Sequence, residues 1–181
     1  MTRAAFSAAL VLVGVIAVAQ QSASPVPLGA RLKLRWHGST VYLREGNDSH
    51  ELSLRDQFHA VQLDKVTLQS AKEAGDFIYL LLDVNGPSKV PGDSHQCGAG
   101  MESDLIWLKL SKDWKVLNAK NFHYDSCWAT ISADDPPKWE GDTLRVSVYA
   151  VTSGTGRTLV ATYSYKRPEE GLKIAEMPVT Q

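Results

Sequence analysis

The most apolar run beyond the first 20 residues is FIYLLLDV, which occupies residues 77–84. Its apolar side chains stand at both odd and even positions, so a strand built from it has no polar face. Strands of this kind are covered on both sides by other parts of the protein. The run therefore predicts the interior strand of the domain, with Leu80 and Leu82 buried on one face and Leu81 on the other.

Shorter segments with alternating apolar and polar residues lie on both sides of this run, for example at residues 31–36 and 144–150. Turn-forming Gly, Asn, Asp and Pro residues separate them at short intervals. We count about ten strands and no clear helix; residues 55–63 fit either conformation, and we favour a strand.

This pattern predicts one all-β domain over residues 31–181, a mainly antiparallel β-sandwich or barrel. A small propeller-like β fold is the alternative, because paired strands with interleaved tryptophans are typical of propeller blades. No repeat of fixed period occurs in the chain, which argues against it.

The N-terminal segment has the features of an export signal. Arg3 supplies a basic start, residues 8–18 are almost wholly apolar, and Ala17–Ala19 matches a small-x-small cleavage site. The apolar run is too short to span about 30 Å of hydrocarbon comfortably. We therefore favour a signal peptide at residues 1–19 over a membrane anchor, followed by a flexible lead-in at residues 20–30. The mature chain is expected in the periplasm or outside the cell, without a transmembrane segment.

Composition limits the partners. The 181 residues carry a formal net charge of −1, and 44% of them are hydrophobic, which suffices for a core. No block of Lys or Arg would hold a phosphate backbone, so nucleic acid is not an expected partner. We expect an unknown protein or cell-envelope component instead.

Cys97 and Cys127 are the only cysteines. Two cysteines in an exported chain predict one disulfide bond. Closing a loop of about 30 residues would stabilise the fold by roughly 3–4 kcal/mol in the chain-entropy model. A reactive thiol at Cys97 would need a reducing site or an unpaired partner cysteine, and the sequence offers neither.

Side chains that bind ligands or transfer protons concentrate in the segment 93–104, which we interpret as a loop. A Cys97–Cys127 bridge would bring residues 123–125 close to this loop. The candidate binding residues are Asp93, His95, Glu102, Asp104, His123 and Asp125. Histidines and carboxylates in one patch bind zinc or catalyse acid–base hydrolysis, whereas the simpler interpretation is a solvated surface loop.

No motif assigns chemistry to these residues. The chain lacks His-Glu-x-x-His, Cys-x-x-Cys and Gly-x-Ser-x-Gly, so we assign no catalytic residue, no metal ligand and no cofactor. His50 and His59 stand alone and are interpreted as ordinary surface or core histidines. The segment 83–86 has part of a calcium-loop pattern, but the remaining oxygen ligands are absent.

The function that these observations favour is a non-catalytic binding or cell-envelope-associated module. The argument is partly that catalysis requires a positioned nucleophile, acid–base pair, metal or cofactor, and no recognisable motif for one stands out. The alternative is a metal-assisted or acid–base hydrolase that uses the region of His95, His123 and Asp125.

Overall fold

The computed structural model describes residues 27–88, 100–126, 129–152 and 155–177. These residues form two antiparallel sheets of three and nine strands. Their helical content is one short turn, α1 (Leu28–Arg31), and one 3-10 turn (Pro168–Glu170). The prediction of an all-β, antiparallel architecture is confirmed.

The smaller sheet follows the chain order. Its strands are β1 (Leu32–His37), β2 (Thr40–Glu45) and β3 (Asp48–Ser53). The two turns contain Gly38 and Gly46, whose φ angles are 58° and 60°. Glycine adopts this left-handed conformation without a steric cost, so these turns allow the strands to reverse within two residues.

The larger sheet contains the remaining strands. They are β4 (Lys65–Ala74), β5 (Phe77–Pro87), β6 (Met101–Ser111), β7 (Val116–Ser126), β8 (Ile131–Ala133), β9 (Lys138–Glu140), β10 (Thr143–Thr152), β11 (Thr155–Ser164) and β12 (Lys173–Met177). Their order is β12-β11-β10-β8-β7-β6-β5-β4, with β9 paired to β10. Since β4 and β12 form open edges, the described strands make neither a closed barrel nor the separate blades of a propeller.

Strand β5 is interior, as predicted, with a hydrophobic core on each face. Leu80 and Leu82 are 0% exposed and belong to a first core, shared with the three-stranded sheet. Leu81 is equally buried but belongs to a second core, shared with β10 and β11. The larger sheet therefore folds back on itself, so that β10 and β11 cover the face of β5 and β6 opposite the smaller sheet.

Residues 54–64 form a loop, and the strand that we favoured for this segment is wrong. The segment pairs with a neighbouring strand at one isolated antiparallel bridge, between Ala60 and Ser88. Phe58, Ala60 and Leu63 bury their side chains in the first core. Their spacing of two and then three residues does not match the strand period of two, so the segment covers the core without pairing along its length.

One residue of the predicted lead-in contributes to the hydrophobic core. Leu28, in the predicted lead-in, packs into the first core beside Ala71 of β4. In the part of the chain that the structure describes, no helix is long and apolar enough to cross a membrane.

Cys97 and Cys127 lie outside the described residues, so their disulfide bond stays a prediction. We expect thiol titration of the denatured, unreduced protein to find almost no free sulfhydryl, because the N-terminal segment predicts export and paired cysteines oxidise outside the cytosol. The same protein after reduction, with two thiols per chain, is the control. Two reactive thiols before reduction would show that the bond does not form.

Candidate functional site

Two histidines and two carboxylates meet where β6 and β7 lie next to the 54–64 loop. We call His59, Glu102, Asp104 and His123 the His–carboxylate cluster. One nitrogen of each histidine and one oxygen of Asp104 lie within 4.8 Å of one another. Glu102 Oε2 lies 2.7 Å from His123 Nε2.

Asp104 connects the loop to the sheet. It lies on β6 opposite His123 on β7, and its side chain is 1% exposed. Its Oδ1 is hydrogen-bonded to His59 Nδ1 at 2.7 Å, and its Oδ2 accepts the main-chain N–H of His59 at 3.0 Å. Both contacts come from one loop residue, so Asp104 positions the loop and the imidazole together.

Glu102 is the second buried carboxylate, with a side chain that is 4% exposed. The Ser88 hydroxyl donates a hydrogen bond to Glu102 Oε1 at 2.5 Å. Although Glu102 Oε2 is close to His123 Nε2, this approach is not aligned as a hydrogen bond, and Nε2 is buried with no hydrogen-bond partner among the described residues. The described contact of Nε2 is therefore its ion pair with Glu102, which forms when the imidazole is protonated.

The rings of His59 and His123 are stacked, with centroids 4.0 Å apart and planes inclined by 5°. The lone pairs of parallel rings lie in separate planes, so one ring must turn before both nitrogens can bind one ion. The side chain of His59 is 47% exposed and that of His123 is 12% exposed. His59 is therefore the ring with room to turn.

The charges of the cluster favour a cation. Glu102 and Asp104 contribute a formal charge of −2 in a buried place, where charges must be paired. Buried carboxylates need a positive partner, and the nitrogens of His59 and His123 beside Asp104 could bind a metal ion.

The structure brings together three of the predicted site residues: Glu102, Asp104 and His123. The first two belong to β6 and are buried, so placing them in a solvated loop was wrong. They lie at the start of β6, on the face that also carries the buried Ile106, since residues two apart in a strand point the same way. His59 was interpreted as isolated, and no sequence pattern connects it to a carboxylate 45 residues away.

Asp125 does not join the cluster. A bulge separates the pair Asp104–His123 from the pair Ser103–Asp125 and leaves Tyr124 as the extra residue of β7; bulges redirect side chains in this way. Asp125 instead lines a surface pocket formed mainly by residues 130–151. Burial raises the pKa of its carboxyl, and the negative charge of Glu102 raises it further, while His123 has the opposite effect.

Asp93 and His95, the remaining predicted site residues, lie outside the described residues. The described chain approaches their segment from both sides at the cluster, because the main-chain N–H of Ser88 donates to Gly100 at 2.9 Å. The contribution of the His95 side chain to the site stays a prediction.

The order of contacts argues against an activated serine. Ser88 donates to Glu102, and Glu102 in turn contacts His123. In a serine nucleophile the imidazole, rather than the carboxylate, accepts the hydroxyl proton. The cluster is therefore suited to holding a cation or moving a proton at an imidazole, and not to nucleophilic attack by Ser88.

Asp83, the first residue of the partial calcium-loop pattern, belongs to β5 and to a hydrogen-bond network. Its carboxylate accepts the Tyr124 hydroxyl at 2.7 Å and the Gln69 amide at 3.3 Å. Burial raises the pKa of Asp83, against the effect of these donors. Burial and the charge of Asp83 also raise the pKa of the Tyr124 hydroxyl. The contacts are those of a satisfied structural network.

No known family model, curated protein or solved structure matches this chain.

Proposed function

We propose that the mature protein is an exported, non-catalytic β-domain that binds one divalent metal ion at the His–carboxylate cluster. The observation that carries this proposal is the convergence of His59, Asp104 and His123, whose donor atoms lie within 4.8 Å of one another. Two imidazoles and one carboxylate suit zinc and its neighbouring transition metals, whereas calcium and magnesium prefer oxygen ligands. Export rests on the N-terminal segment, and the cell envelope is the place where the domain acts.

Each residue of the cluster has its own part in this proposal. Asp104 and His123 are held opposite each other on neighbouring strands, so they form the rigid half of the site. His59 completes the site from the loop by turning its exposed ring out of the stack. Glu102 orients His123 from outside the ligand set, as carboxylates do for many metal-bound histidines.

We expect the untagged protein to bind one zinc ion per chain. Replacing His59 with alanine should weaken zinc binding by more than the about 10- to 100-fold that is typical of losing an outer-shell partner. The Glu102→Gln variant should fall within that range. Isothermal titration calorimetry measures both effects, and magnesium and calcium should produce no comparable heat.

His37→Ala is the matched control, because His37 is exposed on β1 and lies outside the cluster. Its zinc affinity should equal that of the natural protein. The His59→Ala variant should also unfold at a lower temperature, because the buried Asp104 Oδ1 loses its hydrogen-bond partner, so zinc affinities are compared where all variants are folded. Equal zinc affinity in the His59→Ala, His37→Ala and natural proteins would show that zinc does not bind at this cluster.

A metal-assisted hydrolase is the second candidate function, and the number of ligands favours it. Three protein ligands leave one position of a tetrahedral zinc ion for water, as in catalytic sites. The exposure of His59 would open that position to solvent. Turnover of an ester, peptide or phosphoester by the zinc-loaded protein, lost in His59→Ala and kept in His37→Ala, would replace the non-catalytic proposal with this one.

A further inference from the structure

The outer face of the three-stranded sheet carries a basic groove. Its volume is ≈ 510 Å³, and its lining residues are Lys33, Arg35, Tyr42, Arg44, Asn47 and Ser49. We call it the β1–β3 groove. No apolar side chain lines it, so its chemistry is that of three cations, one aromatic ring, one amide and one hydroxyl.

The three cations have no carboxylate partner in the part of the chain that the structure describes. Among the described residues, Lys33, Arg35 and Arg44 form no ion pair. Glu51 on β3 lies on the same face, opposite Tyr42 of β2, but it does not line the groove. The residues that line the groove therefore carry three positive side chains that no ion pair among the described residues neutralises.

The arrangement of the cations is unfavourable for the sheet itself. Lys33 on β1 lies directly opposite Arg44 on β2, and like charges in directly opposed positions destabilise a sheet. The core does not require them, because Leu34 and Leu43 on the other face provide the buried contact. A bound anion would compensate for this repulsion.

The orientation of the Arg44 side chain suits the binding of such an anion. Its Nε donates a hydrogen bond to the Gly46 carbonyl at 2.8 Å, so the guanidinium is fixed at one nitrogen and its two terminal amino groups remain as donors. Arg35 lies two residues along β1 from Lys33, which is roughly 6.6 Å in a strand. The three positive groups thus lie on one side of Tyr42, which is opposite Arg35 on β1 and opposite Glu51 on β3.

We propose that the β1–β3 groove binds an anionic saccharide, a sugar chain whose rings carry carboxylate or phosphate groups. The acidic groups lie against Lys33, Arg35 and Arg44, and one ring packs on Tyr42. Asn47 and Ser49 hydrogen-bond to sugar hydroxyls, for which amides and hydroxyls are suitable partners. This groove is separate from the metal site. Its proposed ligand is a cell-envelope component of defined chemistry.

Other anionic partners fit the groove less well. A nucleic acid requires more phosphate contacts than three cations provide for useful affinity at physiological salt. A lipid surface is held by apolar side chains that enter the membrane beside a basic patch, and no apolar side chain lines this concave groove.

The test is a titration of the full mature protein, followed by NMR, with an oligogalacturonate and with glucose 6-phosphate. At least one should shift the amide signals of β1–β3, and the shifts should weaken in 0.5 M salt because the contacts are charged. The double variant Lys33→Gln/Arg44→Gln should bind at least tenfold more weakly. Its unfolding temperature should be equal or higher, because the repulsion is removed.

The double variant Arg55→Gln/Lys115→Gln removes the same charge from exposed positions outside the groove and should bind as the natural protein does. Three results would overturn the proposal: no β1–β3 shifts with either charged sugar, equal shifts with the neutral methyl ester of the oligogalacturonate, or tighter binding to phosphatidylglycerol vesicles or single-stranded DNA. A marked fall in the unfolding temperature of the Lys33→Gln/Arg44→Gln variant would assign these cations a structural role instead. Both double variants should bind zinc with the affinity of the natural protein. The saccharide proposal and the metal proposal can therefore be contradicted independently of each other.

Discussion

Replacing Leu81 with alanine is expected to lower the free energy of unfolding by about 3–5 kcal/mol. Leu81 is 0% exposed and packs in the second core with Trp107 of β6 and Val146 of β10. β5 is hydrogen-bonded to β4 and β6 along its length, so it cannot move to fill the cavity. The lost side chain therefore costs both its transfer free energy and the cavity that remains.

Urea denaturation followed by tryptophan fluorescence measures this loss. Leu117→Ala is the matched control, because Leu117 is 53% exposed and surface substitutions usually change stability by less than about 0.5 kcal/mol. Leu80→Ala should be as costly as Leu81→Ala, since Leu80 is equally buried in the first core. A loss below about 1 kcal/mol for either interior leucine would contradict the burial of β5 on both faces.

Replacing Gly86 with alanine is expected to lower the free energy of unfolding by about 3 kcal/mol or more and to weaken zinc binding at the same time. A Cβ at this position would lie 1.9 Å from the Gln62 carbonyl oxygen and 2.8 Å from the Ala60 Cβ. The nearer atom belongs to the main chain of the 54–64 loop, so the loop must move away from β5. His59 belongs to that loop and would move with it.

Gly29→Ala is the control for this substitution, because the nearest atoms to a Cβ there are 3.7 Å away, at ordinary contact distance. Its stability and zinc affinity should stay close to those of the natural protein. Chemical denaturation and zinc titration of both variants provide the comparison. If Gly86→Ala were as stable as Gly29→Ala, the loop would not pack on β5 as described. If it lost stability but kept its zinc affinity, the position of His59 would not depend on this contact.

Much of the fold follows from local patterns in the chain. The run at residues 77–84 predicts an interior strand because burial on both faces requires apolar residues at every position, which is a local property. The alternation at residues 144–150 likewise predicts which side chains of β10 face the core, and Val146 and Val148 are buried accordingly. The export signal is a prediction of the same local kind.

The conformation of the 54–64 loop could not be predicted from local sequence patterns. Its apolar residues fit neither strand nor helix cleanly, and its conformation is decided by hydrogen bonds to distant strands. Val61 donates to Pro87, and Asp64 donates to Asn85, both on β5. Local propensity carries no information about such partners, because tertiary contacts override it.

The candidate site divides in the same way. By itself the sequence determined that Glu102 and Asp104 lie two residues apart beside an apolar strand, and it predicted His123 near them only through a Cys97–Cys127 bridge. Only the tertiary structure decided that His59 completes the cluster and that Asp125 leaves it. The position of His59 depends on a contact with Asp104, which is 45 residues away along the chain. The position of Asp125 depends on a single bulge. Both are long-range features of pairing and packing, which side-chain periodicity along the chain does not encode.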